Sequence, residues 1–324
     1  MDYWRGELRA EKSFLRFATF VSLFPQLVAG PIERASTLLP QLAERPRLSV
    51  DRFASGAGLF LTGLFKKVAL ADYLALYVDE VFSLPERYGA ASLVFATVFF
   101  AWQIYFDFSG YSDMARGIAR AFGFELMLNF RRPYLARSLS EFWLRWHISL
   151  STWFRDYVYI PLGGNRGGAL RAYRNLWITF LISGFWHGAS WRFVVWGAIH
   201  ALALCLQRGL ESSTLYRRLV PAFVKCAGVF CVVCCAWVFF RAANWADAMI
   251  VFDRVLHWEG GEFDVPILGL LWIALAWAYQ AASESRVARY LEMSLVQISL
   301  ATLALIYLVV ISTSSGGAFI YFQF

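Results

Sequence analysis

Charge is scarce in this chain. Asp, Glu, Lys and Arg together make up 16% of its 324 residues, well below the roughly 25% of an ordinary soluble domain. Runs without any charge are long: residues 88 to 106, 175 to 191, 226 to 240, 265 to 283 and 293 to 324 hold no Asp, Glu, Lys or Arg. Several reach the length of about 20 residues that a helix needs to cross a bilayer. Cysteine is absent from the first 204 positions, and Cys205, Cys226, Cys231, Cys234 and Cys235 all fall in apolar runs. The CxxC spacing of Cys231 and Cys234 has no His or acid beside it, which argues against zinc. Small core residues are the expected role. Met1 to Arg16 is charged and lacks an apolar stretch with a small-residue cleavage site, so no cleavable signal peptide is expected there. Internal repeats and low-complexity tracts are missing too.

What is present points to a bilayer. Hydrophobic residues reach 59%, and the 14 Trp and 15 Tyr suit the headgroup level where amphipathic rings settle. The net charge of +7 is not gathered into a patch that would bind nucleic acid. It alternates between apolar runs, as the positive-inside bias requires. Ten Lys/Arg lie between Arg116 and Arg174, whereas Arg241 to Asp264 holds two Arg against five acids. This places 107 to 174 in the cytoplasm and 241 to 264 outside. Arg208, Arg217, Arg218, Lys225, Arg286 and Arg289 then also fall on the cytoplasmic side, and the uncharged C-terminus falls outside.

The fold class that follows is all-α, a polytopic membrane bundle with re-entrant and interfacial helices, read as one domain over residues 1 to 324. Phe14 to Gly30 is broken by Pro25 and suits a re-entrant or interfacial helix. The run from Phe53 to Val78 carries Lys66 and Lys67 in its middle, which argues against a simple crossing. Asp107 to Asp113 reads as a turn, with Asp113 capping a helix from Met114 to Phe122 that stops at Gly123. Glu141 to Tyr159 reads as one amphipathic helix. Trp143, His147, Leu150 and Phe154 share one face, and Arg145, Ser149, Thr152 and Asp156 share the other. Pro161 to Gly168 is a loop by composition.

Four histidines are the candidates for proton chemistry. His257 lies in the acidic external segment and is expected to be solvated. His200, among Ala, Ile and Leu, is expected to be a core histidine. His187 sits between Gly184 and Gly188 in a hydrophobic hairpin, where glycines loosen a helix. The thirteen residues from Asn175 to His187 extend only about 20 Å as a helix, short of a hydrocarbon core of about 30 Å. A helix that breaks there leaves its histidine at membrane depth, and an ionisable group at that depth is a functional-site hypothesis. A desolvated imidazole remains neutral and able to accept a hydroxyl proton.

The runs FPQLVAGPIERASTLLPQL (Phe24 to Leu42), YFDFSGYSDMARGIARAFGF (Tyr105 to Phe124), NFRRPYLARSLSEFWLRWHISLSTWFRDYVYIPLGGNRGG (Asn129 to Gly168) and SGFWHGASWRFVVWGAIHAL (Ser183 to Leu202) resemble the membrane-bound O-acyltransferases. The nearest branch is the bacterial alginate O-acetyltransferase group, which is similar to the D-alanyl transferases of teichoic acids. The resemblance extends to Phe319 to Phe324. It implies a bundle enclosing a tunnel, with His187 of the Trp-His-Gly motif catalytic and His147 the second signature residue.

The resemblance further implies transfer of an acetyl group from a cytoplasmic thioester, acetyl-CoA, with no permanently bound cofactor and no metal. The acceptor would be an exopolysaccharide such as alginate, or its export partner, a periplasmic acetyltransferase. The expected location is the bacterial inner membrane, with the lipid bilayer as a further partner and no nucleic acid. In this scheme His187 is the general base, His147 binds or orients the acyl group, and Arg131, Arg132, Arg145 and Arg155 offer a basic face for the donor's phosphates, with a lipid-headgroup or positive-inside role the alternative for any one of them. Family members ordinarily carry further membrane helices before the segment Tyr3 to Glu7, so the resemblance implies a chain shortened at its N-terminus. Two other readings remain at this point: a transporter or channel with His187 on a proton or substrate path, and an inactive scaffold left by truncation.

Overall fold

The computed structural model describes residues 2–310 except 4, 7, 28, 45 and 47. The terminal segment Phe319 to Phe324 lies outside the described residues. Among them the structure is helical, with no strand and one isolated bridge between Tyr88 and Glu262. The helices are α1 (Phe14–Ser22), α2 (Ala35–Ala43), α3 (Val50–Leu64), α4 (Asp72–Ser83), α5 (Ala90–Ala121), α6 (Leu139–Arg145), α7 (Ile148–Phe154), α8 (Ala169–His187), α9 (Trp191–Ser212), α10 (Thr214–Leu219), α11 (Ala222–Arg241), α12 (Trp245–Leu256), α13 (Ile267–Ser283), α14 (Ala288–Leu291) and α15 (Ser294–Val310). By length and composition α5, α9 and α11 are able to cross a membrane, and α13 and α15 are shorter apolar helices. The all-α class expected from the sequence is what is found.

Helix α1 starts on the Ser13 cap, whose Oγ accepts from the Arg16 N–H, and stops ahead of Pro25 as that residue requires. Its nine residues are too few to span a bilayer, and Phe14, Leu15 and Val21 stand exposed along it.

Two runs that the sequence presents separately meet at one place. Lys66 and Lys67 do not interrupt their run: a π-helical stretch, Phe65–Ala71, joins α3 to α4 without a break. Nor does Asp107 to Asp113 form a turn, since α5 is a single helix of 32 residues and Asp113 caps nothing. The polar residues of each run answer the other's. Lys66 pairs with Asp113 at 2.5 Å, and Lys67 pairs with Asp107 at 2.7 Å and Asp72 at 2.8 Å. Glycines let the two helices close on one another. A Cβ on Gly63 would lie 2.4 Å from the Gly110 carbonyl oxygen, and one on Gly56 would lie 2.6 Å from that of Gly117. Such small-residue seams are how apolar helices approach closely where burial gives no further drive. The stop at Gly123 is as expected: its φ is +87°, and Phe124 N–H and Gly123 N–H return to the carbonyls of Ala119 and Arg120.

Helices α8 and α9 form the expected hairpin. Gly184 and Gly197 meet the backbones of Phe193 and Phe180, so Gly184 serves close packing and does not loosen α8. The helix does end at His187, but it begins at Ala169, six residues before the charge-free run. Its 19 residues extend about 28 Å, so the length argument for a mid-membrane histidine does not hold. His187 stands at the end of a helix of nearly full length.

Polar contacts sort to two ends of the bundle. At one, Gly89 and Ala90 N–H groups donate to the Glu262 and Glu259 carbonyls, and Arg241 pairs with Asp79 at 2.6 Å. At the other, Arg52 bonds the Gly123 carbonyl and Arg145 pairs with Glu284 at 2.5 Å. The segment 241 to 264 is thus separated from the basic segments, as the charge count implied. Residues 107 to 121, however, belong to α5 and not to a basic loop.

Candidate active site

The segment from Glu141 to Tyr159 is not one helix. The Arg131 N–H donates to the Arg145 carbonyl at 2.8 Å and the Ile148 N–H to the Asn129 carbonyl at 2.9 Å, lacing residues 129–131 to 145–148. To make both bonds the chain turns at Trp146, which is extended, and at His147, whose φ is +41°. A left-handed conformation is uncommon for a residue with a Cβ and is held here by these cross-links. It divides α6 from α7 and fixes the imidazole direction. His147 is buried, with ring centroids 4.6 Å from Phe108 and 6.3 Å from Phe130.

The amphipathic assignment is half right. Trp143, His147, Leu150 and Phe154 do line one cavity. Ser149 is buried and not on a solvent face. Its Oγ and N–H both donate to Asn129 Oδ1, and the hydroxyl accepts from the Ile32 N–H. Thr152 lines the cavity, and Asp156 pairs with Arg34 and Arg155. Beside Ile32, the Glu33 carboxylate accepts the Met127 N–H. Burial raises that carboxyl above its ordinary range, against the opposing effects of this bond and of Arg116.

His187 reaches the same cavity from the end of α8, edge-on to Trp186, Trp196 and Phe240 at 5.0, 5.0 and 5.1 Å. The link after it is glycine because a Cβ on Gly188 would meet the Phe193 ring at 2.5 Å. The two histidines singled out by sequence, 40 residues apart in the chain, therefore face one space. The cavity has a volume of about 210 Å³, is open on one side, and has aromatic rings in its walls, among them Trp143, Trp146, Phe180, Trp196 and Trp237. Ser183, Thr179 and Tyr159 supply hydroxyls, and Arg155 and Arg208 supply positive charge. Along α9 the lining runs from Trp196 to Arg208, a slot about 18 Å long.

The remaining candidates separate from it. Of the basic face, only Arg155 lines the cavity. Arg145 is committed to Glu141 and Glu284, and Arg132 faces Glu284. His257 is exposed and bonded to Asp253, and His200 is fully buried in the core. No group of three or more His, Cys, Asp or Glu among the described residues is arranged to hold a metal. Sequence reasoning missed Asn129 and Arg208. No local pattern marks Asn129, which meets His147 only through the chain reversal, and Arg208 looks like any cation at the end of an apolar run.

Two imidazoles, hydroxyls and cations around a slot with aromatic walls suit transfer of a group to or from a hydroxyl. The model of the membrane-bound O-acyltransferase family matches residues 6–245. The chain is similar to the probable alginate O-acetylase AlgI of Pseudomonas putida, 42% identical over 283 residues, which are 86% of this chain and 58% of that protein. It is 42% identical over 250 residues to the peptidoglycan O-acetyltransferase of Helicobacter pylori, 76% of this chain and 47% of that one. The teichoic acid D-alanyltransferase of Bacillus subtilis is 27% identical over 219 residues, 63% of this chain and 54% of that one. The chain spans about half the length of the curated relatives it matches. The family match takes in both histidines, the seam and the slot, and the chain belongs to the membrane-bound O-acyltransferase family.

Proposed function

We propose that this protein, as a single membrane domain, moves an acetyl group from a thioester donor to a hydroxyl of an exopolysaccharide such as alginate, or of the periplasmic protein that passes the group onward. The observation that carries this reading is the meeting of His147 and His187 in one narrow cavity. The polysaccharide acceptor rests on the names of the relatives. Acetyl-CoA from the cytoplasm is the proposed donor, and the bacterial inner membrane the proposed location, with the basic end of the bundle in the cytoplasm. Arg155 and Arg208 at the slot suit the donor's phosphates.

In the reaction the hydroxyl oxygen attacks the thioester carbonyl carbon while His187 accepts the hydroxyl proton. The carbon–sulfur bond then breaks, and the leaving thiolate recovers a proton from the imidazolium. An ester and a thiol result. His147 holds or orients the reacting groups.

Replacing His187 with Ala is expected to lower acetylation of the product by about 10²- to 10⁴-fold, the usual contribution of general base catalysis. Labelled acetyl transfer in proteoliposomes checks it. Unchanged transfer sinks the assignment, and solute flux without transfer would mark a transporter.

A further inference from the structure

The hydrogen bonds around His147 leave one arrangement of protons. Asn129 is fully buried, and its Oδ1 has three neighbours: the Ser149 N–H at 3.2 Å, the Ser149 hydroxyl at 2.8 Å and His147 Nδ1 at 3.1 Å. A backbone N–H only donates, so the atom it meets is the amide oxygen and not the amide nitrogen. The other end of the amide agrees, since Asn129 Nδ2 donates to Ser112 Oγ at 3.3 Å on α5. With an oxygen opposite it, His147 Nδ1 is the nitrogen that carries the hydrogen. A neutral imidazole has one donor and one acceptor nitrogen. The lone pair is therefore on Nε2.

The anchor is rigid. Asn129 is tied to α5 by its amide nitrogen, to α7 through Ser149, and to the segment preceding α2 through the Ile32 N–H that Ser149 Oγ accepts. Its own carbonyl accepts the Ile148 N–H, fixing the chain next to the left-handed His147. A group pinned from several elements keeps its partner's tautomer and ring direction, as an outer hydrogen-bond partner does for a metal-bound histidine.

We propose that Asn129 is a positioning residue that holds His147 as the Nδ1–H tautomer, so that His147 meets the cavity as a hydrogen-bond acceptor for the O–H of the acceptor substrate. This rests on the acyltransferase reading and changes one part of it. Neutral His147 has no ring hydrogen left to donate to an acyl carbonyl oxygen. Its task is to orient a hydroxyl, beside His187.

The test reads the tautomer separately from the activity. The protein, with ¹⁵N-labelled histidine, is placed in lipid nanodiscs, and the His147 ring signals are assigned by their loss in His147→Gln. In the wild type Nδ1 is protonated and Nε2 bare. Asn129→Ala gives a mixture of tautomers, and Asn129→Asp, which keeps the acceptor oxygen, restores the single form. In the transfer assay Asn129→Ala lowers kcat by about 100-fold, with the donor KM changed by less than about 3-fold. Asn129→Asp recovers most of the rate. A protonated Nε2 in the wild type overturns the proposal whether or not the variants assemble. A single unchanged tautomer in Asn129→Ala overturns it as well, as does equal impairment of the Ala and Asp variants. Should His187→Ala transfer acetyl like the wild type, the acyltransferase reading fails, and the ring signals still decide the role of Asn129.

Discussion

The seam between α3 and α5 and the slot beside α8 and α9 both bury polar groups in an apolar bundle, but they treat charge in opposite ways. In the seam each cation meets carboxylates: Lys66 with Asp113, and Lys67 with Asp107 and Asp72. In the slot His147 and His187 meet aromatic rings, and no carboxylate among the described residues lines the cavity. Charges that satisfy one another in low dielectric are held in place and have little freedom to exchange protons. An imidazole with hydrophobic walls and an oriented lone pair keeps that freedom. Under the proposed function the first region is architecture and the second is where the chemistry occurs.

The comparison is broken most directly by removing the cation that two acids share. Lys67→Met strands Asp107 and Asp72, and breaking a buried pair in this way costs about 3–5 kcal/mol. The expected outcome is a large fall in the thermal midpoint of the detergent-solubilised protein, with the transfer rate per folded molecule unchanged. An unaltered midpoint would mean that the seam is not structural. Loss of transfer at full stability would move it to the chemical side.

A smaller effect follows from the close approach that makes those ion pairs possible. In Gly110→Ala the added carbon would lie 2.7 Å from the Gly63 carbonyl oxygen, and overpacking of this kind costs about 1–3 kcal/mol. Gly209 on α9 has nothing within 4 Å of the same position. There Ala is expected to stabilise by up to about 1 kcal/mol through helix propensity. Chemical denaturation of both variants in one detergent checks the pair. Equal responses would remove the seam's claim to tight packing.

Much of the slot was legible in the sequence and little of the seam was. His187 stood out because its neighbours, Trp186 and Gly188, belong to a recognisable motif, and His147 because it lies in a long matching run. The seam was misread because polarity was taken one run at a time. Lys66 and Lys67 looked disruptive, and Asp107 to Asp113 looked like a turn, because the partner of each lies some 40 to 50 residues away in sequence. The break at His147 was hidden for a similar reason. Its helical spacing is sound locally, and the partners of the bonds that reverse the chain, the Arg131 N–H and the Asn129 carbonyl, lie outside the pattern. Local periodicity reports a helix's faces but not the tertiary bonds that cut it or complete it.

His200 tests where the boundary between the two regions lies. It is fully buried on α9, against the rings of Trp196 at 4.8 Å, Trp143 at 4.9 Å and Phe180 at 6.0 Å, all three of which also line the slot. Among the described residues neither ring nitrogen has a hydrogen-bond partner. Leaving a buried polar group unsatisfied costs about 1–3 kcal/mol, so His200→Leu, of similar volume and wholly apolar, is expected to raise stability by about 1 kcal/mol and leave transfer unchanged. That outcome keeps His200 as a packing residue behind the aromatic wall, as its apolar neighbours suggested. If the Leu variant melts at or above the wild-type temperature yet loses acetyl transfer, the imidazole acts through the wall. The chemical region then extends one layer deeper than the cavity lining, and the contrast between carboxylate-paired cations and imidazoles among aromatic rings would apply to three histidines instead of two.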